Sequence, residues 1–239
     1  MFLYGHRGAS AEAPENTLAA FRAALAAGAD GVELDIHLSA DGVPVVMHDA
    51  TLERTTDGCG AVGDWPAADL AGLDAGSWFA PDFKGEPVPT LGEALALLGG
   101  RLRVNIEIKD AAAALATLEV LGEFPAADVI LSSFDRTALQ ALRRADARIP
   151  LAVLSDEPGW HRLLRVAKEL RASALHLRAD LVSRPLLTAA RTAGLPVLVW
   201  TVDEPGQARS LVRAGVAGLF ANDPAGLRAA FGFGPVYSS

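Results

Sequence analysis

Hydrophobic and polar positions along the chain follow two periods, near two and near 3.6, and these predict the elements. Phe2 to Gly5 reads as a short buried strand ending at His6-Arg7. Pro14-Glu-Asn-Thr17 opens a helix reaching Ala27, with Leu18, Phe21, Ala24 and Leu25 as its apolar stripe and Gly28 at its end. A strand follows over 31–37. Val32, Leu34 and Ile36 share its apolar face, and Glu33 and Asp35 leave the other. Asp41-Gly42 is a hairpin signal, and residues 44–48 are expected to return as a second strand. Thr90 and Glu93 form a capping box for a helix to Leu98. Strands are then expected at 102–109, 129–133, 151–154, 174–177, 196–201 and 216–221. Helices are expected at 111–121, 136–145, 160–170, 184–193, 204–214 and 224–231, and Gly232 to Ser239 is expected to fray.

The connection before 44–48 is too short for a parallel crossover, so that strand is an antiparallel extra. Eight strands remain, each followed by a helix or by an insertion and a helix. This predicts an α/β fold, a TIM (β/α)8 barrel with a small insertion after an extra hairpin strand. A doubly wound open sheet is the alternative, weakened because no Gly-rich dinucleotide fingerprint follows the first strand. Residues 50–88 are rich in turns, aromatics, Pro and Gly. They are expected to form the insertion, folding over one end of a single domain spanning 1–239.

Composition narrows the picture. Hydrophobic residues make up 51% of the chain, enough for a sizeable core and too many for a disordered segment. A net charge of −8 argues against general nucleic-acid binding but leaves room for a local cationic phosphate pocket. The single Cys59 forbids an internal disulfide and fits a reducing compartment. His6 and Arg7 follow the first apolar residues at once, so no signal peptide is expected. No apolar run reaches the roughly 18 residues of a membrane helix. The expectation is a cytoplasmic protein; the oligomeric state is not set by the sequence.

In such a barrel the active site lies at the carboxyl ends of the strands. Those ends offer His6 and Arg7, Glu33 and Asp35, Glu107 and Lys109, Ser132 and Ser133, Trp200, and Asn222. His48 joins them according to hairpin register. It faces Glu33 if the loop is Ser39 to Gly42 and Asp35 if the loop is Asp41-Gly42. A three-residue loop sets it opposite Leu34, on the wrong face. Glu33, Asp35 and Glu107 suit one hard divalent cation with oxygen ligands, Mg²⁺ or Ca²⁺. Arg7 and Lys109 suit a phosphate. His6 and His48 can divide proton transfer between attacking and leaving oxygens. Together they describe metal-assisted phosphodiester cleavage. Duller accounts stand beside this: solvated strand-end carboxylates, a salt-bridged Glu107–Lys109 pair, helix capping for Asn16 and Thr17. Trp200 is more often core at such a position, yet a strand-end Trp can line a cleft. His37 receives no role, and His161 and His176 are expected to be structural.

The motifs His6-Arg-Gly-Ala-Ser, Pro14-Glu-Asn-Thr, Gly28-Ala-Asp-Gly-Val-Glu-Leu-Asp35 and Asp41-Gly-Val-Pro-Val-Val-Met-His-Asp49 occur in this order. Leu52-Glu-Arg-Thr-Thr56, Val88-Pro-Thr-Leu-Gly-Glu93, Asn105-Ile-Glu-Ile-Lys109, Ser132-Ser-Phe, Trp200-Thr-Val and Ala221-Asn-Asp-Pro224 follow. In these the chain resembles the glycerophosphodiester phosphodiesterases. The resemblance implies a TIM barrel with a small insertion and a metal held by Glu33, Asp35 and Glu107. It implies a His6/His48 acid–base pair, with Arg7 and Lys109 on the phosphate. The implied reaction is hydrolysis of a small glycerophosphodiester to an alcohol and glycerol 3-phosphate. Attack comes either from water or from the neighbouring glycerol hydroxyl through a cyclic phosphate. The alternatives are a lysophospholipase D with Trp78, Phe79 and Phe83 lining an acyl groove, and a non-catalytic phosphoester-binding protein.

Overall fold

A computed structural model describes residues 1–231; the expected fraying of 232–239 lies outside the described residues. Eight parallel strands close on themselves: β1 (Phe2–Gly5), β2 (Gly31–Leu38), β4 (Arg103–Ile108), β5 (Val129–Ser133), β6 (Leu151–Ser155), β7 (Ala174–Arg178), β8 (Val197–Trp200) and β9 (Gly218–Ala221). Each pairs with its sequence neighbours, and β1 closes the ring by pairing with both β9 and β2. The ninth strand, β3 (Pro44–Val46), is antiparallel to β2. Helices α1 (Leu18–Ala26), α3 (Leu91–Leu98), α4 (Ala113–Glu123), α5 (Arg136–Ala145), α6 (Trp160–Glu169), α7 (Arg184–Thr192), α8 (Pro205–Ala214) and α9 (Pro224–Ala230) surround the barrel. The four-residue α2 (Ala67–Leu70) belongs to the insertion segment. The architecture is a TIM barrel. No helix among the described residues is long and apolar enough to cross a membrane.

Strand alternation explains where the cores sit. Val32, Leu34 and Ile36 of β2 and Val104, Ile106 and Ile108 of β4 face outward and are buried against helices in the main apolar cluster. Tyr4, Ala152, Ala174, Leu198 and Phe220 form a smaller cluster of their own. Val45, Met47, Leu52, Val62, Leu70 and Val88 make a third, binding the 50–88 segment to the β3 hairpin. The insertion thus rests on the hairpin side. Ala40 N–H donates to the Trp65 carbonyl, and Ala19 N–H donates to Glu86, tying α1 to the same segment. Thr90 and Glu93 form the expected capping box on α3.

The hairpin differs from expectation in an instructive way. Ile36 pairs with Val46, His37 with Val45 and Leu38 with Pro44. Ser39 N–H donates to the Val43 carbonyl, so the turn is the three-residue one. Continued, that register would set His48 opposite Leu34, away from the carboxylates. The strand instead stops at Val46, two residues short of the expected end. Met47 N–H still reaches the Asp35 carbonyl, and the chain then turns, releasing His48 from strand alternation.

Candidate active site

The site begins at the ends of β1 and β2. After Gly5 the backbone turns back through Arg7 (φ 57°) and Gly8 (φ 85°), both left-handed. Gly8 cannot be replaced without strain, because a Cβ there would lie 2.6 Å from that of Ala20. The turn aims the Arg7 backbone N–H at Glu33 Oε2, at 2.8 Å. Arg7 holds Glu15 through Nη1 at 2.7 Å, and its Nε lies 3.5 Å from Asp35 Oδ2.

Parallel register then builds the acidic cluster. Asp35 of β2 lies directly beside Glu107 of β4, with Glu33 one alternation back. One oxygen from each of Glu33, Asp35 and Glu107 lies within 4.8 Å of the others, and all three residues are buried. Lys109 Nζ bridges two of them, 2.9 Å from Asp35 Oδ1 and 2.6 Å from Glu107 Oε1. Burial, then the charges of Asp35 and Glu107, push Glu33 well above the usual carboxylate range. Burial and Asp35 likewise raise Glu107, to about 7, against Lys109 and Arg7. Burial would raise Asp35 too, but Lys109 and Arg7 outweigh it and hold Asp35 at about 2. The donor set is all oxygen, compact and strained by its own charge, which fits a hard divalent cation.

Asn16 is more than the cap expected of it. Thr17 caps α1, and Asn16 sits at φ 58°, buried. Its Nδ2 donates to Asp35 Oδ2 at 2.8 Å, and its Oδ1 accepts from the Asp35 N–H at 3.3 Å. Asparagine tolerates this backbone and fixes the central carboxylate. Asn16→Gly keeps the left-handed φ and removes both bonds. It is expected to lower stability by about 1–3 kcal/mol, read in thermal unfolding.

The two histidines are fixed from outside the cavity. Asp203 accepts from Asn222 Nδ2 at 2.8 Å, which turns Asn222 Oδ1 to His6 Nδ1, also at 2.8 Å. An amide oxygen only accepts, so Nδ1 carries the proton and Nε2 is the bare nitrogen of the neutral ring. Burial, then the Arg7 charge, lower the His6 pKa. His48 Nδ1 lies 2.5 Å from Asp49 Oδ1. Arg54 holds Asp49 through Nε at 2.5 Å and Glu15 through Nη1 at 2.8 Å, so one guanidinium joins the His48 loop to the Arg7 loop. Burial lowers the His48 pKa as well, with Asp35 and Asp49 opposing. His37 Nε2 lies 3.1 Å from the His48 carbonyl oxygen, a contact with no counterpart in the sequence reading.

His6, Arg7, Glu33, His48, Glu107, Lys109 and Trp200 line one cavity of about 210 Å³, and Asp35 joins them through Lys109. The residues offered for the metal, the phosphate and proton transfer are therefore brought together with Trp200, whereas Ser132, Ser133 and Asn222 do not line the cavity. Trp200 meets Phe134 edge-to-face at 5.7 Å. Missing from the sequence reading were the partners Glu15, Asp49, Arg54 and Asp203, and the cavity-lining Asn105 and His176. Motif membership was the available signal for Glu15, Asp49, Arg54 and Asn105.

The whole chain has relatives among known proteins. Residues 6–226 match the model of the glycerophosphoryl diester phosphodiesterase family. A glycerophosphodiester phosphodiesterase of Caldanaerobacter subterraneus subsp. tengcongensis is 36% identical over 230 residues, covering 92% of this chain and 93% of that protein. One from Bacillus subtilis is 32% identical over 241 residues, covering 92% and 82%. Among solved structures, an Oleispira antarctica phosphodiesterase in complex with the product sn-glycerol-3-phosphate superposes with a TM-score of 0.91 at 31% identity, covering 97% of both chains. The glycerophosphodiester phosphodiesterase of Thermotoga maritima gives 0.80 at 30% identity, covering 94% of this chain and 96% of that one. The chain belongs to the glycerophosphoryl diester phosphodiesterase family and is a phosphoric diester hydrolase.

Proposed function

We propose that the chain is one domain that hydrolyses small glycerophosphodiesters to an alcohol and glycerol 3-phosphate, using His6 and His48 as base and acid. The observation that carries this reading is the cavity that both histidines share with Arg7, Lys109 and two of the three carboxylates. Glu33, Asp35 and Glu107 would hold one divalent ion, Mg²⁺ or Ca²⁺. When bound, that ion supplies positive charge against the phosphate oxygens as negative charge builds on them.

The protein's own groups divide the remaining work. Arg7 and the third N–H of Lys109, two being given to Asp35 and Glu107, hold the phosphate. His6 is tied to a neutral amide and sits beside the Arg7 cation, both of which favour the uncharged ring. Its Nε2 takes the proton from the attacking oxygen, whether water or the adjacent glycerol hydroxyl. Burial holds the His48 pKa below its ordinary value, and Asp49 at its Nδ1 and nearby Asp35 oppose that; in its protonated form the ring gives a proton to the departing alcohol oxygen. The proton bound by one ring and the one released by the other balance over the turnover.

Release of glycerol 3-phosphate from glycerophosphocholine, with and without EDTA, tests the reading. Turnover that chelation abolishes is expected; turnover that survives it removes the ion. Lysophosphatidylcholine is expected to be the poorer substrate. Phe79 meets Trp78 and Phe83 edge-to-face, and none of the three lines the cavity, so an acyl chain held within it would not meet them.

A further inference from the structure

The end of the barrel away from the active site, where the parallel strands begin, holds two concavities of its own. A pit of about 270 Å³ opens among the strand starts, walled by Phe2, Tyr4, Val129, Ile130, Ala174 and Leu198. Among the described residues it shares only His176 with the active-site cavity, so it is a separate site. Arg103, at the start of β4, donates through Nε to Asp128 at 2.8 Å, and its guanidinium lies 5.0 Å from the centre of the Phe2 ring. Phe2 is nevertheless 44% exposed, a large aromatic side chain left facing water.

Beside the pit, between α7 and α8, runs a groove of about 750 Å³. Pit and groove share Pro196 and Ala217, neighbours at the starts of β8 and β9, where Ala217 N–H donates to the Val197 carbonyl at 2.7 Å. Arg184, Leu187, Thr188 and Arg191 line the groove from one face of α7, three and four residues apart, and Arg213 lines it from α8. No carboxylate among the described residues lines it, in a chain where 29 acidic residues outnumber 21 Lys and Arg. Arg191 and Arg213 stand in the last turns of their helices, where the helix dipole favours a cation. Arg184 does not fit that account. It is the first residue of α7, the end at which the dipole disfavours positive charge. Three guanidiniums gathered without an acid suit an anionic head such as a carboxylate or phosphate.

We propose that the amino end of the barrel binds a single-chain anionic amphiphile, with its hydrocarbon chain in the pit and its carboxylate or phosphate monoester head in the arginine groove. Such a molecule gains both from apolar area removed from water and from charge attraction. Each half of the site answers one half of the ligand, and the shared Pro196–Ala217 wall sets the halves side by side. The site stands apart from the groups assigned to phosphodiester cleavage. The competing account is two unrelated surface features, an apolar dimple and solvated arginines.

The test is calorimetric binding of dodecanoate, dodecyl phosphate, dodecylphosphocholine and inorganic phosphate, with the amphiphiles kept below their micelle concentrations. At least one of the two anionic amphiphiles is expected to bind wild-type protein at least ~10-fold more tightly than dodecylphosphocholine, which has the chain without net charge, and than inorganic phosphate, which has the charge without the chain. The tighter of the two identifies the head as carboxylate or phosphate. Equal affinity for dodecylphosphocholine removes the arginines, and equal affinity for inorganic phosphate removes the pit; either overturns the proposal. The double variant Arg191→Glu/Arg213→Glu changes two exposed side chains. It is expected to bind the anionic amphiphile at least ~10-fold more weakly, with glycerophosphocholine turnover and melting temperature unchanged. Unchanged affinity in that variant puts the amphiphile elsewhere and overturns the proposal. Wild-type protein that binds vesicles of phosphatidylglycerol and phosphatidylcholine but none of the monomeric amphiphiles would assign this face to a bilayer, and that result overturns it too.

Discussion

Replacing His6 or His48 by alanine is expected to lower kcat by at least ~10²-fold, the usual scale for positioned acid–base groups. The fold is expected to survive either change. When His6 is removed, Ser10 Oγ still donates to Asn222 Oδ1 at 2.9 Å and Asp203 still holds the amide. When His48 is removed, Asp49 keeps its contacts with Arg54. Steady-state release of glycerol 3-phosphate, with a melting curve beside it, separates lost chemistry from lost structure. Near-normal kcat in either variant would remove that ring from the mechanism. The pair should also act as a unit, so the double variant is expected to lose little more than the worse single one.

Divalent ions are expected to restore activity to EDTA-treated protein and to raise its unfolding midpoint. At an ion concentration 100 times Kd the gain is ~2.7 kcal/mol. The affinity is expected to depend on pH in one direction. Glu33 is raised well above its usual value and Glu107 to about 7, so both compete for protons with the ion. Carboxylates bind as anions, so protons leave as the ion enters. Affinity therefore rises as pH increases through about 7 and falls as pH drops below it. Calorimetric titration in two buffers of different ionisation heat would register that proton release. Asp35→Asn, which removes the carboxylate kept ionised by Lys109 and Arg7, is expected to abolish most binding. Full activity and an unshifted melting curve after chelation would defeat the ion's role.

Much of the site was legible because strand geometry is local. Glu33 and Asp35, or Glu107 and Lys109, two residues apart on a strand, must leave the same face whatever the rest of the fold does. Eight strand–helix units imply a closed barrel, and a barrel collects strand ends. His48 reached the cavity by a route the sequence reading had not foreseen. The hairpin took the register that points it away, and the early end of β3 at Val46 undid that. Asn16 looked like a cap because the next residue is one, and its left-handed backbone showed only in three dimensions.

By itself, the sequence determined the repeating strand–helix order, the faces on which the carboxylates stand and the residues able to carry the chemistry. Each of these follows from period and from side-chain type within a few positions. Tertiary structure alone decided which nitrogen of His6 is bare, that Arg54 couples two loops, and that the ring nitrogens of His176 have no hydrogen-bond partner among the described residues. Those properties depend on contacts such as that between His6 and Asn222, 216 residues apart. No local pattern encodes such a contact. It exists because closing the barrel sets its first strand beside its last.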